Sequence, residues 1–350
     1  MKRRCKSVDI TDHALIFSAV TKCLKPLKRR KSQSAIVWAA EALGISKTSA
    51  KKHLIDMDDV YIQFLRKISD SLQKELLEGK IKLTKPYYCF RKDRPTGKIR
   101  KLTLQTLRHK LYDYIAVEGL QPLFNTLGYW QCASIPGKGP FKGAATVRKW
   151  LKEDTSLRYW CKLDIQKCFE SIRAEDVLTF LKRKISNKCL INLIETCITT
   201  GSDCLSIGSY LSQWLCNLYL SQLYHFIENL HILKRNKFAR PIKRCLFYMD
   251  DILLLASNKR LMKRAITAIA IFIQERLHLK IKQNWQLQRV NEQPIAMMGF
   301  RILRGVILTG KRNWRLFLRL LYRWNNYRHR TPRLKLHLAC IQGWALTKVV

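Results

Sequence analysis

A chain of 350 residues with 66 Lys and Arg against 25 Asp and Glu carries a formal charge of +41. Charge of this size self-repels in an isolated compact protein, so a polyanion is the expected partner, bound along a basic track by counterion release. Other classes are excluded: no apolar run approaches the roughly 18 residues of a spanning helix, the basic start Met1 to Lys6 lacks the apolar stretch of a secretory signal, and the twelve cysteines show neither Cys-x-x-Cys pairs nor His at zinc spacing. They read as small buried hydrophobes in a reducing cytosol.

Residues 12 to 82 are mostly helical in pattern, with apolar positions at helical spacing in Ala14 to Leu27 and Val60 to Leu77. Within them, Ala42 to Leu54 resembles a helix-turn-helix, Gly44 making the turn and Ser46 capping a basic second helix; an αα-hairpin in a basic extension is the plainer reading. From Arg91 to Leu102, Pro95 and Gly97 mark a turn between two short extended segments. Basic residues on such a projecting hairpin can close over a triphosphate. Leu104 to Phe124 reads as an amphipathic helix, and Ile135 to Gly139 as a glycine loop ahead of a helix over Gly143 to Leu151. An apolar strand, Arg158 to Ile165, delivers Asp164 just before Cys168 to Ile172. The segment Ile207 to Gln213 then runs into a helix-like stretch, Trp214 to Leu230.

The strongest feature follows, in Phe247-Tyr248-Met249-Asp250-Asp251-Ile252. Two adjacent carboxylates lie between the apolar runs Cys245 to Met249 and Ile252 to Ala256, which predicts a β-hairpin whose tight turn presents both aspartates at a sheet edge. Carboxylates held that close repel unless cations sit between them, which suits Mg²⁺ and phosphoryl chemistry. An ordinary Asp-Asp surface turn is the alternative on these residues alone. Downstream, Leu261 to Leu277 predicts a helix, and Ala296 to Ile302 with Val306 to Leu308 a strand pair around Gly305. No acidic residue occurs from Lys311 to Lys335, where Arg312, Arg315, Arg319 and Arg323 share one helical face and Trp314, Phe317, Leu318 and Leu321 fall largely elsewhere. Such a helix could pack its apolar side on the body and lay its guanidiniums along a duplex backbone.

Together, Asp164, the Ile207 to Gln213 segment and the Asp250-Asp251 turn resemble the A, B and C motifs of reverse transcriptases, over a stretch from about Lys85 into the C-terminal helices. The resemblance implies an α+β right-hand polymerase: a basic helical extension over 1–84, fingers over 85–158, a palm with an antiparallel sheet and helices over 159–309, and a short basic helical thumb over 310–350. Asp164, Asp250 and Asp251 are then the catalytic and metal-holding residues, taking two Mg²⁺ ions, with Mn²⁺ able to substitute. Lys98 and Arg100 match the Gly-Lys-x-Arg element that closes on the dNTP. Phe169 stands where these enzymes carry an aromatic gate that rejects a ribose 2′-hydroxyl, while Ile207 and Gly208 lie beside the incoming nucleotide. Lys138 sits in a Gly-basic-Gly loop like one that contacts template backbone in group II intron-like enzymes. Ser212, Gln213, Arg312, Arg315, Arg319 and Arg323 complete the template and primer side.

One segment departs from the usual pattern. Where most reverse transcriptases have Leu-Pro-Gln-Gly and then Ser-Pro, this chain has Leu205-Ser206-Ile207-Gly208 and then Ser212-Gln213, the pattern of reverse transcriptases from diversity-generating retroelements. Ile207 cannot hydrogen-bond as Gln would, so lower fidelity is expected. The implied function is RNA-directed DNA polymerisation by a bacterial or phage enzyme in the cytoplasm, working in a mutagenic retroelement with an RNA template, a DNA or RNA primer, dNTPs and a small accessory protein, and without a membrane. An anti-phage defence reverse transcriptase is the alternative. A non-catalytic nucleic-acid-binding regulator is disfavoured by the complete aspartate set, an RNA-dependent RNA polymerase by Phe169, and a retron enzyme by the lack of a Val-Thr-Gly element. The expected length leaves no room for a nuclease, protease or zinc finger.

Overall fold

Side-chain caps decide where the first helices start. In the computed structural model, which describes residues 3–92, 97, 99–234, 236–326 and 331–346, Asp12, Ser32, Ser46 and Asp58 each accept backbone N–H groups that have no partner inside a helix. They open α1 (His13–Leu24), α3 (Gln33–Leu43), α4 (Lys47–Asp56) and α5 (Asp59–Leu77), with the single turn α2 (Leu27–Arg30) between the first two. Gly44 takes a left-handed φ of 68° between α3 and α4, as the helix-turn-helix pattern requires. Arg30, buried, donates to the carbonyls of Leu54 and Ile55 and so satisfies the end of α4.

The strand pair β1 (Tyr87–Lys92) and β2 (Ile99–Leu104) follows, then α6 (Leu107–Gly119), α7 (Gln121–Phe124), the short strand β3 (Gln131–Cys132) and α8 (Pro140–Glu153). β4 (Tyr159–Asp164) leads to α9 (Cys168–Ser171), α10 (Ala174–Lys184), α11 (Lys188–Thr199) and α12 (Tyr210–Glu228). Beyond these lie β5 (Ile232–Lys234), β6 (Lys237–Ala239), β7 (Arg244–Tyr248), β8 (Asp251–Ala256), α13 (Lys259–Leu277) and β9 (Leu287–Arg289). The chain continues through β10 (Ile295–Met297), β11 (Phe300–Leu303) and β12 (Val306–Thr309) to α14 (Lys311–Asn326) and α15 (Pro332–Leu346).

Two compact units result, each assembled from two stretches of chain: Met1–Leu127 with Phe169–Tyr219, and Gly128–Cys168 with Leu220–Val350. The first is helical apart from β1 and β2. Its centre is α6, expected to be amphipathic but buried on nearly every side, from Leu107 through Tyr112 and Ile115 to Val117. The reason is that α1 and α11 both pack on it, so only Arg108, Lys110 and Glu118 keep partial access to solvent.

The second unit holds a five-stranded sheet in the order β3-β7-β8-β4-β9. It is antiparallel except at β3, which pairs parallel with β7, a departure from the purely antiparallel expectation. Central strand β8 is buried from Ile252 to Ala256, reading as a continuous apolar run because both faces are covered. Leu246, Leu253 and Leu255 join Val147, Trp150 and Leu151 of α8 and Ile295, Phe300 and Ile302 of the β10-β11-β12 sheet in one core. That sheet has three strands where a pair was expected, with Gly305 at a φ of 82° in the β11–β12 turn. Most of the described cysteines are buried free thiols, although Cys189 is exposed. Among the described residues no helix is long and apolar enough to cross a membrane.

Candidate active site

Three strands place the aspartates. β7 and β8 form the hairpin expected from Cys245 to Ala256, with Tyr248 opposite Asp251 and the turn made by Met249 and Asp250. Met249 adopts a left-handed φ of 55°, the conformation a two-residue hairpin turn demands. On its other edge β8 pairs with β4, and Asp164 is the direct cross-strand partner of Asp251. Asp250 joins them through its carbonyl, which accepts the Ile165 N–H at 3.3 Å. Residues 86 positions apart in the chain thus lie on one sheet edge.

Directly opposed like charges destabilise a sheet, and this site carries its own counter-ions. Lys162, two residues before Asp164 and therefore on the same face of β4, sets its Nζ 2.9 Å from Asp251 Oδ1. Lys282 bonds Asp164 Oδ1 through its Nζ and donates its backbone N–H to the Asp164 carbonyl at 2.9 Å. Asp250 has neither ammonium as a direct partner. Burial pushes its carboxyl above the usual range, and the negative charges of Asp251 and Asp164 add to this, while a backbone hydrogen bond and Lys282 pull the other way. Three carboxylates with hard oxygen donors, one of them without a direct ammonium partner, form a set that divalent cations fit.

Other expected site residues occupy distinct settings. Arg100 is exposed on β2 directly across from Arg91, which makes the pair a doubly basic rung on the hairpin; Lys98 lies outside the described residues. Ile207 is half-buried, and its carbonyl accepts the Thr103 N–H at 2.8 Å. Gly208 has a φ of 116°, and a Cβ there would lie 2.7 Å from the Thr103 carbonyl oxygen. Glycine is thus required by the close pass of β2. Phe169 is half-buried on the single turn α9. Lys138 donates to the Tyr129 carbonyl at 2.8 Å and lies over that ring. Ser212, expected on the template and primer side, is 2 % exposed, and its hydroxyl accepts the Ser206 N–H to close the loop on itself. Gln213 is half-buried on the first turn of α12.

On α14, Arg312, Arg315, Arg319 and Arg323 are all exposed, and Phe317 and Leu320 are buried. Trp314 and Leu318 do not join the apolar side as expected but stand exposed among the arginines with Tyr322. The Trp314 ring nevertheless meets Phe317 one turn on, with 5.6 Å between centroids, while Leu318 turns with Arg315 and Arg319. Arg91, Lys162, Lys282 and a buried Asp113 were not singled out from the sequence. Alternation along β4 could have indicated Lys162, and a lone carboxylate in Leu111-Tyr112-Asp113-Tyr114-Ile115 could have indicated Asp113.

Residues 90–302 match the family model described as reverse transcriptase (RNA-dependent DNA polymerase), which is more than half of the chain. The chain belongs to the reverse transcriptase family. This is the family of RNA-directed DNA polymerases, which are nucleotidyltransferases. A 152-residue segment is 32% identical to an uncharacterised 91 kDa protein in a cob intron of Schizosaccharomyces pombe, covering 39% of this chain and 18% of that protein. A 187-residue segment is 21% identical to a putative COX1/OXI3 intron 2 protein of Saccharomyces cerevisiae, covering 50% of this chain and 21% of that one. The chain thus spans about a fifth of the length of each of these relatives. Both relatives are intron proteins of yeasts, so the expectation of a bacterial or phage enzyme of the diversity-generating type gains no support from them.

Proposed function

We propose that this reverse transcriptase copies an RNA template into DNA as part of an intron-type retroelement. The observation that carries the reading is the cross-strand placement of Asp164 against Asp251 with Asp250 in the adjoining turn. In this reading the five-stranded sheet is the palm, the β1–β2 hairpin belongs to the fingers, α14 and α15 form the thumb, and residues 1–84 are a basic extension. The intron proteins of the two yeasts support the element type.

Asp164, Asp250 and Asp251 would hold two divalent cations, Mg²⁺ by the preference of oxygen donors, which when bound activate a primer hydroxyl and neutralise departing pyrophosphate. The protein's own groups do the rest. Lys162 and Lys282 balance the acidic edge before cations and substrate arrive. Arg91 and Arg100 attract the triphosphate, a role the sequence also assigns to Lys98. Phe169 excludes a 2′-hydroxyl by contact, which selects dNTPs. Lys138, Gln213 and the exposed face of α14 engage template and primer, the arginines through phosphates and Trp314 and Tyr322 through sugar and base surfaces.

A second reading concerns fidelity and rests on Ile207: an aliphatic side chain where most family members carry Gln offers no polar anchor to the nascent pair, which favours error-prone copying. The test of the main reading is primer extension on a primed RNA template with dNTPs and Mg²⁺. Wild-type chain should extend the primer, and Asp250→Asn should abolish extension while retaining RNA binding. An active Asp250→Asn enzyme would overturn the assignment.

A further inference from the structure

The helical unit buries a carboxylate that the chemistry above does not use. Asp113 is 1 % exposed in the middle of α6, where an apolar residue would pack without the cost of desolvating a charge. Its Oδ2 accepts three hydrogen bonds: from Gln105 Nε2 at 3.0 Å, from Ser209 Oγ at 2.8 Å and from the Leu211 N–H at 3.4 Å. Gln105 directly follows β2, and Ser209 and Leu211 directly follow Ile207-Gly208. One oxygen therefore ties the base of the β1–β2 hairpin to the loop beside which the nucleotide is proposed to bind.

Around this anchor the loop is closed by its own bonds. Ser212 N–H donates to Ser209 Oγ at 3.0 Å, and Ser206 N–H to Ser212 Oγ at 3.2 Å. Thr103 of β2 holds the Ile207 carbonyl, and its carbonyl leaves no space for a side chain at Gly208. Ile207-Gly208 is thus pinned twice, by the backbone of β2 and by Asp113. Burial raises the Asp113 carboxyl, while the facing His109, Ser209, Gln105 and Leu211 act to keep it ionised. His109 Nε2 lies 3.8 Å from Asp113 Oδ1 and is 2.9 Å from the Cys197 carbonyl, to which it donates. His109, Asp113 and Cys197 offer ligand-type atoms within 4.8 Å of one another. A metal is the weaker use of them, because that ring nitrogen is taken by a carbonyl and burial pushes the Cys197 thiol far up, away from the thiolate a metal needs.

We propose that Asp113 is a positioning residue for nucleotide binding, holding the Ile207-Gly208 backbone in register with β2 so that hairpin and loop meet the dNTP as one surface. The proposal rests on the reading of Ile207-Gly208 as part of the nucleotide site. Removing the carboxylate leaves three donors unpaired and frees the loop, whereas Asn keeps an acceptor oxygen for them.

The test is single-nucleotide addition by the full chain to a DNA primer annealed to an RNA template, with the half-saturating dNTP concentration, the maximal rate and the template-primer affinity measured separately. Asp113→Ala should raise the half-saturating dNTP concentration about tenfold while leaving template-primer affinity unchanged, and Asp113→Asn should recover most of it. Gly208→Ala, measured alongside, should raise it too. If Gly208→Ala moves the dNTP dependence and Asp113→Ala does not, the nucleotide site stands and the Asp113 role fails. If neither moves it, the reading of the loop fails and takes the Asp113 role with it. A loss confined to maximal rate or to template-primer affinity, or a failure of Asn to rescue, also overturns the proposal. Should Asp113→Ala not fold, Ser209→Ala and Gln105→Ala each remove one donor and decide the matter: a smaller rise is expected, and no rise overturns it.

Discussion

Asp164 and Asp251 face each other as direct cross-strand partners of β4 and β8, and each carries a lysine: Lys282 on Asp164 and Lys162 on Asp251. Opposed carboxylates at this position would weaken the strand pair that the site is built on. The two ammoniums remove that conflict in the free protein, while the half-buried Asp250 has no direct ammonium partner and its carboxyl is pushed above the usual range.

This arrangement predicts how the cation requirement responds to charge. An ammonium in direct contact with a ligand oxygen competes with an incoming divalent ion, so Lys282→Gln should lower the Mg²⁺ concentration needed for half-maximal occupancy by about two- to tenfold. Calorimetric titration of the protein with Mg²⁺ measures this. An unchanged or higher requirement would mean that Lys282 supports the loaded site instead of competing with it.

Phe169→Ala should admit ribonucleotides, because the clash with a 2′-hydroxyl is steric. Comparing dNTP and NTP incorporation on one RNA template measures the change. Unaltered discrimination would return the half-buried ring to a packing role.

Replacing Arg315, Arg319 and Arg323 together by Gln should weaken template-primer binding across all sequences and lower the salt slope by up to about three counterions' worth. All three are exposed, so folding stability should change little. A preserved slope would show that this face of α14 does not meet phosphates.

Ile207→Gln should lower the error rate without loss of polymerisation, since only a modest shift in discrimination is needed: about 1.4 kcal/mol is a tenfold ratio. Deep sequencing of cDNA from a defined RNA template gives the spectrum. Wild-type errors as few and even as those of a Gln-bearing enzyme would leave Ile207 without a role in fidelity.

Amino-acid order alone determined the features that depend on a few neighbouring residues. Ser46 three residues before the Ser49 N–H it caps, the Met249-Asp250 turn between two apolar runs, and arginines every three or four residues on α14 are local consequences of backbone period and turn chemistry. The type and order of the three aspartates were readable for the same reason. Tertiary structure decided what depends on partners far along the chain. The register that sets Asp164 against Asp251, the arrival of Lys282 on Asp164, the parallel pairing of β3 with β7 and the two-stretch make-up of both units all arise from contacts between distant segments. Periodicity reports which faces one element can bury, but not which neighbours cover them. That is why α6, with polar residues enough to suggest a solvent face, lies enclosed by α1 and α11, and why the carboxylate of Asp113 within it ends in the interior against Ser209 and Gln105.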